Sequence, residues 1–349
     1  PKTNRRESME AADIASLSFR MSISHLSKVD LMLSRQTGVG NRRLFHRGFP
    51  SQSQVRFVAS EIAADLSVEE AAGLGPQPEV ARRRRDRFQP LPNPTGAFPF
   101  RLNLESILSS SDIEQITTSG KMIFHSVGDT GGINNNHWQS RVVECMESDF
   151  HRPDPSDIPS FFFHLGDVVY FKGETENYLA QFYEAYERYP APIMAIPGNH
   201  DGEISGEGSL SAFVRNFCSV DPSNSPDAGS VDRDTMTQPN PFFTLDTPLA
   251  TVIGLYSNVP EGGKILDDQL AWFIDRLRES PVDKALIVAV HHPLFSADKH
   301  HSGSPEMLRV FREAIAESGR VPDLILTAHV HNYQRYTWEV EGRQVPVLV

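Results

Sequence analysis

Five short apolar runs, each ending in a turn that carries aspartate, asparagine or histidine, constrain this chain of 349 residues more than any other feature. Met122 to Val127 runs into Gly128-Asp129-Thr130-Gly131-Gly132, and Phe161 to Leu165 runs into Gly166-Asp167-Val168-Val169-Tyr170. Ile193 to Ile196 leads to Pro197-Gly198-Asn199-His200-Asp201, Ala285 to Val290 to His291-His292-Pro293, and Leu324 to Thr327 to Ala328-His329-Val330-His331. Such runs read as buried strands, which puts these polar residues at strand ends on neighbouring loops. Glycine recurs beside them because a backbone that turns sharply near an ion favours a residue without Cβ. One such segment is an ordinary turn. Five in one chain, mixing oxygen and imidazole donors, point to a metal cluster built from Asp129, Asp167, Tyr170, Asn199, His291, His329 and His331.

The order of these segments resembles the calcineurin-like metallophosphoesterases, whose pattern is Asp-x-His, Gly-Asp-x-x, Gly-Asn-His-Asp/Glu, a lone His and Gly-His-x-His. The resemblance runs from Lys121 to Val349 and implies an α/β fold: a two-sheet mixed β sandwich flanked by helices in an α/β/β/α order, consistent with the alternation of strand and helix patterns. Gly131 stands where the first motif has His, and Tyr170 supplies a replacement donor in the second. That exchange resembles the purple acid phosphatase branch, which includes the tartrate-resistant acid phosphatases. The fourth motif agrees, because His291 is followed nine and ten residues later by His300 and His301. Ala328 replaces a family Gly.

The resemblance implies a ferric site made by Asp129, Tyr170 and His331, with Asp167 bridging to a second ion held by Asn199, His291 and His329. A phenol of ordinary pKa near ~10 becomes a phenolate at neutral pH only beside a strongly polarising cation. An amide with two imidazoles suits a divalent ion such as Fe, Zn or Mn. Two ions roughly 3.5–4 Å apart clamp the oxygens of an in-line displacement, and a metal-bound hydroxide is the nucleophile. His200, beside ligand Asn199, is the candidate for protonating the leaving oxygen, with His300 and His301 as substrate-facing partners. Asp201 orients His200 or a ligand from behind. His292 should point the other way along its strand and is structural. His125 and His164 read as satisfied interior histidines, while Asn134, Asn135, Asn136 and His137 form a polar loop at the mouth of the site.

The function this implies is hydrolysis of phosphate esters, monoesters foremost. A Mn- or Zn-loaded phosphodiesterase or nuclease on the same scaffold is the alternative enzyme. From another class comes a binding module without catalysis, against which the intact ligand set and His200 speak. Helix periodicity appears from Asn177 to Tyr189, with Tyr178, Phe182 and Tyr186 turned to the core, and from Leu266 to Leu277, with Leu270, Phe273, Ile274 and Leu277 inward.

Residues 1–100 differ in kind from 101–349, the metallophosphoesterase domain. They hold 15 Lys and Arg against 10 Asp and Glu, within a chain of net charge −12. Helical patterns read from Asp13 to Leu33 and from Gln54 to Ala72, followed by Arg82-Arg83-Arg84-Arg85 and a proline-rich connector from Pro90 to Pro99. This basic arm either touches nucleic acid or an anionic surface, or packs on its own acidic domain. An Arg- and Ser-bearing targeting peptide over residues 20–60 is a further reading. No apolar run approaches the ~20 residues of a membrane span. Only Cys145 and Cys218 are present, read as free thiols. No signal segment opens the chain and no Asn-x-Ser/Thr acceptor appears, so a cytoplasmic location is the default. The chain opens on Pro1 and stops in the apolar run to Val349, which reads as a fragment truncated at its C-terminus.

Overall fold

The computed structural model describes residues 87–132, 137–204, 208–298 and 301–349, and the backbone of three strands nearer the N-terminus. Those three are β1 (Ser18–Ser24), β2 (Lys28–Ser34) and β3 (Arg56–Val58). There follow β4 (Arg101–Asn103), α1 (Ser110–Ser119), β5 (Lys121–Val127), α2 (His137–Ser148), β6 (Phe162–His164), β7 (Ile193–Ala195) and α3 (Ser211–Phe217). β8 (Phe243–Asp246), β9 (Ala250–Leu255), α4 (Asp267–Glu279), β10 (Ala285–Val290), α5 (Pro305–Ser318), β11 (Leu324–Leu326), β12 (Arg335–Val340) and β13 (Arg343–Leu348) complete the chain.

Period-two side chains sort these strands into two sheets, ordered β3-β2-β1-β5-β6-β7 and β12-β13-β11-β10-β9-β8-β4. One face of each strand packs sheet on sheet: Met122, Phe124, Phe161, Phe163, Met194 and Ile196 meet Phe243, Val252, Ile287, Ala289, Leu324 and Leu326. Phe163 lies 6.0 Å from Phe243, and a Cβ at Gly254 would come within 2.7 Å of Ile196, so the sheets touch directly there. The alternate positions, among them Phe162, Ile193, Val288 and Ile325, join the outer core beneath the helices. The sandwich expected from the resemblance is therefore present.

The helices begin and end where their sequences say. Ser304 caps α5 by accepting from the Met307 N–H, Pro305 opens it, and Gly319 closes it at φ +66°. Asp267 and Asp268 in the first turn of α4 and Arg276 and Arg278 in its last complement the helix dipole. Leu270, Phe273, Ile274 and Leu277 are buried as the periodicity predicts, and Phe273 meets Phe311 of α5 at 5.4 Å.

Three expected helices fail. Residues 18–34 are not helical: β1 and β2 form an antiparallel hairpin, and β1 pairs antiparallel with β5, Ser22 opposite Ile123. Their sequence alternates Phe19, Met21, Ile23 and Val29, Leu31, Leu33, a period of two that outweighs the helical reading. In the second helical pattern, Arg56–Val58 is β3, and residues 59–72, like Arg82 to Arg85, lie outside the described residues. The expected helix from Asn177 to Tyr189 is instead a 3-10 turn, a π-turn over Leu179–Tyr183 and further turns, although Tyr178, Phe182 and Tyr186 are buried as predicted. The connector lies along the domain. The Asn258 side chain pairs with both backbone groups of Gln89 at 2.8 and 2.9 Å, and Trp272 Nε1 donates to the Pro99 carbonyl at 2.8 Å. Cys145 and Cys218 are free thiols. No helix among the described residues is long and apolar enough to cross a membrane.

Candidate metal centre

The parallel strands β5, β6, β7, β10 and β11 all deliver their following loops to one end of the sandwich. Asp129, Asp167, His329 and His331 take left-handed backbone conformations there, with φ between 53° and 74°. Non-glycine residues in that region cost roughly 1–3 kcal/mol each and persist where the surroundings over-determine them.

The seven expected donors come together. On one side Tyr170 Oη lies 3.3 Å from Asp129 Oδ1 and 3.1 Å from His331 Nε2, and His331 Nε2 lies 3.5 Å from Asp129 Oδ1. On the other, His291 Nε2 lies 3.2 Å from Asn199 Oδ1, 3.3 Å from His329 Nδ1 and 3.4 Å from Asp167 Oδ2. Asp167 belongs to both clusters, one with Asp129 and His331 and one with His291 and His329. Its Oδ2 is buried and without a hydrogen-bond partner. Most of these separations exceed a good hydrogen bond. They match the edges of a polyhedron around a cation whose bonds are about 2.0–2.2 Å, where ligand atoms stand roughly 3–3.6 Å apart. The residues present fit a pair of ions.

Electrostatics agree. Burial works against the charged form of His291, yet the Asp167 carboxylate pushes it up to about 9, so a proton takes the place a cation would fill. Burial would raise Asp167, but the imidazoles of His291 and His200 hold its carboxyl well below the ordinary range. The Tyr170 phenol is raised well above its ordinary value by burial and then by Asp129 and Asp167. It stays a phenol unless a cation offsets those carboxylates.

Close packing explains the exchange at position 131. A Cβ on Gly131 would lie 2.6 Å from both Tyr170 Cδ2 and Gln181 Oε1, so the Tyr170 ring occupies the space that a side chain at 131 would need. Gln181, which the sequence reading missed, holds Tyr170: its Oε1 accepts from the Tyr170 N–H and its Nε2 donates to the Tyr170 carbonyl, both at 2.9 Å. The π-turn places that amide, a common use of π-turns.

His291 Nδ1 donates to the Leu165 carbonyl at 2.9 Å, which leaves Nε2 as the nitrogen facing Asp167 and Asn199. His200 Nδ1 donates to the Phe171 carbonyl at 2.6 Å, which leaves Nε2 as its other nitrogen, and its ring lies 4.7 Å from that of Tyr170. Asp201 does not reach the His200 ring. It accepts from the backbone N–H groups of Val168, Val169 and Gly198, and so ties the two loops that carry Asp167 and Asn199. Burial and the neighbouring Asp167 push it up to about 7. His301 comes within 4.5 Å of the His329 ring, while His300 and Asn134 to Asn136 lie outside the described residues. His137 is exposed at the start of α2 and meets the Trp138 ring edge-on at 5.0 Å.

Three interior histidines are structural. His125 bonds Tyr189 at 2.9 Å and Asp149 at 3.2 Å, His164 bonds Thr130 at 2.7 Å, and His292 bonds Ser257 at 2.7 Å. A second residue the sequence reading missed is Glu261, on the loop after β9, whose carboxylate lies near both His329 and His301.

Fold and site together define a phosphoesterase domain of the metal-binding kind. A family model described as calcineurin-like phosphoesterase matches residues 126–333, and the chain belongs to that family. Over 105 residues it is 28% identical to Purple acid phosphatase 21 of Arabidopsis thaliana, a stretch covering 30% of this chain and 23% of that protein. The chain thus matches under a quarter of its curated relative's length. Among solved structures it is similar to a purple acid phosphatase from yellow lupin (Lupinus luteus) seeds, with TM-score 0.45 and 14% identity over 66% of this chain and 46% of that one. It is also similar to a dimetal phosphatase from Danio rerio, with TM-score 0.41 and 12% identity over 64% of this chain and 85% of that one.

Proposed function

We propose that this domain hydrolyses phosphate esters, chiefly phosphomonoesters, with a dinuclear centre of the purple acid phosphatase kind. The observation that carries the reading is Asp167: one buried carboxylate shared by two donor clusters, with an oxygen that no protein group satisfies. Asp129, Tyr170 and His331 would hold Fe(III), and Asn199, His291 and His329 a divalent Fe, Zn or Mn ion. When bound, such a pair supplies Lewis acidity toward phosphoryl oxygens and lowers the pKa of water.

The chain's own residues do the rest. His200 is anchored through Nδ1, so Nε2 is free to carry a proton to the leaving oxygen, a role worth about 10²–10⁴-fold. Asp167 Oδ1 accepts from the His200 backbone N–H at 2.9 Å, which fixes that histidine relative to the shared carboxylate. His301, half-buried beside His329, would contact phosphate oxygens. The acidic domain disfavours long polyanions, which supports small monoesters over nucleic acid as substrates.

The test is hydrolysis of p-nitrophenyl phosphate and its bis-ester by protein stripped of metal and then reloaded with iron and zinc. Activity that returns with metal and favours the monoester supports the proposal. Reloaded protein that binds two ions yet hydrolyses neither ester would contradict it.

A further inference from the structure

Glu261 lies just outside the proposed centre, on the Pro260-Glu261-Gly262-Gly263 loop that follows β9. Its Oε1 sits 3.5 Å from His329 Nε2 and 3.7 Å from His301 Nδ1, so one carboxylate oxygen stands between two imidazoles. Among the described residues, these two histidines form a cluster with it. The Glu261 side chain itself is 63% exposed, whereas His329 is 5% exposed. The carboxylate therefore reaches inward from the rim to a buried ring.

The two nitrogens of His329 have different neighbours. Nδ1 faces His291 Nε2 at 3.3 Å, the nitrogen left for a cation because His291 Nδ1 donates to Leu165. Nε2 faces Glu261. A neutral imidazole has one proton, and a carboxylate at Nε2 draws it there, which leaves the Nδ1 lone pair of His329 pointed toward His291 Nε2. A ring whose outer N–H is held by a carboxylate is fixed in orientation and is a better donor to a metal.

We infer that Glu261 is a positioning residue for the divalent half of the centre: it selects the Nδ1 ligand form of His329 and ties the substrate-side His301 to the same ring. The inference rests on the dinuclear reading above. It also assigns the two halves different dependence on the rim, because no contact joins Glu261 to Tyr170 or Asp129 among the described residues.

The experiment compares wild type, Glu261→Ala and Glu261→Gln for the number of ions bound per chain, zinc affinity by chelator competition, and the visible spectrum with iron in place. Melting curves of the metal-free proteins check that the exposed-site variants fold. Glu261→Ala should bind zinc about 10–100-fold more weakly, with two ions still bound at saturation and the visible band unmoved. Glu261→Gln should fall between, since its Oε1 still accepts a hydrogen bond but carries no charge. Zinc affinity in Glu261→Ala within twofold of wild type would overturn the inference. So would a third ion in wild type that vanishes in Glu261→Ala, which would make Glu261 a ligand. Wild type that binds no metal at all would instead sink the dinuclear reading.

Discussion

On one side of Asp167 stand a carboxylate, a phenol and one imidazole; on the other stand an amide and two imidazoles. The first set carries hard anionic donors and suits an ion of high charge, and the second is neutral and suits a divalent one. Their supports differ as well. Tyr170 is gripped through its backbone by Gln181, with no side chain at 131 to crowd its ring, whereas His291 and His329 are oriented through their outer nitrogens by Leu165 and Glu261. A site built this way should discriminate between its two ions by donor charge and not by size.

The shared carboxylate is where both halves break together. Asp167→Asn should lose both ions and lower phosphomonoester hydrolysis by more than about 10³-fold, beyond what loss of a single preorganised partner costs. Metal analysis and a rate assay check this, and a variant that keeps one ion would show that Asp167 serves one half only. Next in size is His200→Ala, which should keep both ions and lower kcat by about 10²–10⁴-fold. If that variant emptied the site, His200 would be a ligand and not an acid.

The Tyr170 side can be loosened without touching a donor. Gly131→Ala forces a Cβ to within 2.6 Å of the Tyr170 ring, an overpacking that costs about 1–3 kcal/mol and should shift or weaken the visible band while zinc affinity stays near wild type. Equal effects on both halves would deny their independence.

Much of this site was legible in the sequence because each donor segment follows an apolar run, three of the five with a glycine, and the ends of these parallel strands meet at one end of the sandwich. Glu261 and Gln181 were not. Glu261 sits in a Gly-Gly turn after β9, a sixth strand-end turn whose signal was present, yet only folding brings its carboxylate to His329. Gln181 lies within an apparent amphipathic helix, and the helical period hid the π-turn that turns its amide toward Tyr170. The β1–β2 hairpin was misread for a different reason: seven-residue strands give few repeats by which to tell a period of two from one of 3.6.

Away from the centre, the buried His125–Asp149 pair, with the half-exposed Arg152 at its edge, should affect stability and leave activity almost unchanged. Burial would raise Asp149, but bonds from His125 and Arg152 hold it below its ordinary value. A carboxyl depressed in the folded state stabilises above its unfolded pKa, and that contribution fades as pH falls through the folded value. Asp149→Asn should therefore cost about 3–5 kcal/mol near pH 7, and the gap to wild type should close below about pH 4. Urea unfolding at several pH values measures both.

The contrast between the two halves is tested most directly by the visible spectrum of iron- and zinc-loaded protein, read beside its metal content, for wild type and Tyr170→Phe. Wild type should hold two ions and show a ferric-phenolate charge-transfer band, and Tyr170→Phe should lose that band while its zinc remains. Active wild type that holds two ions and is colourless when oxidised would contradict the assignment of Tyr170 to a ferric site.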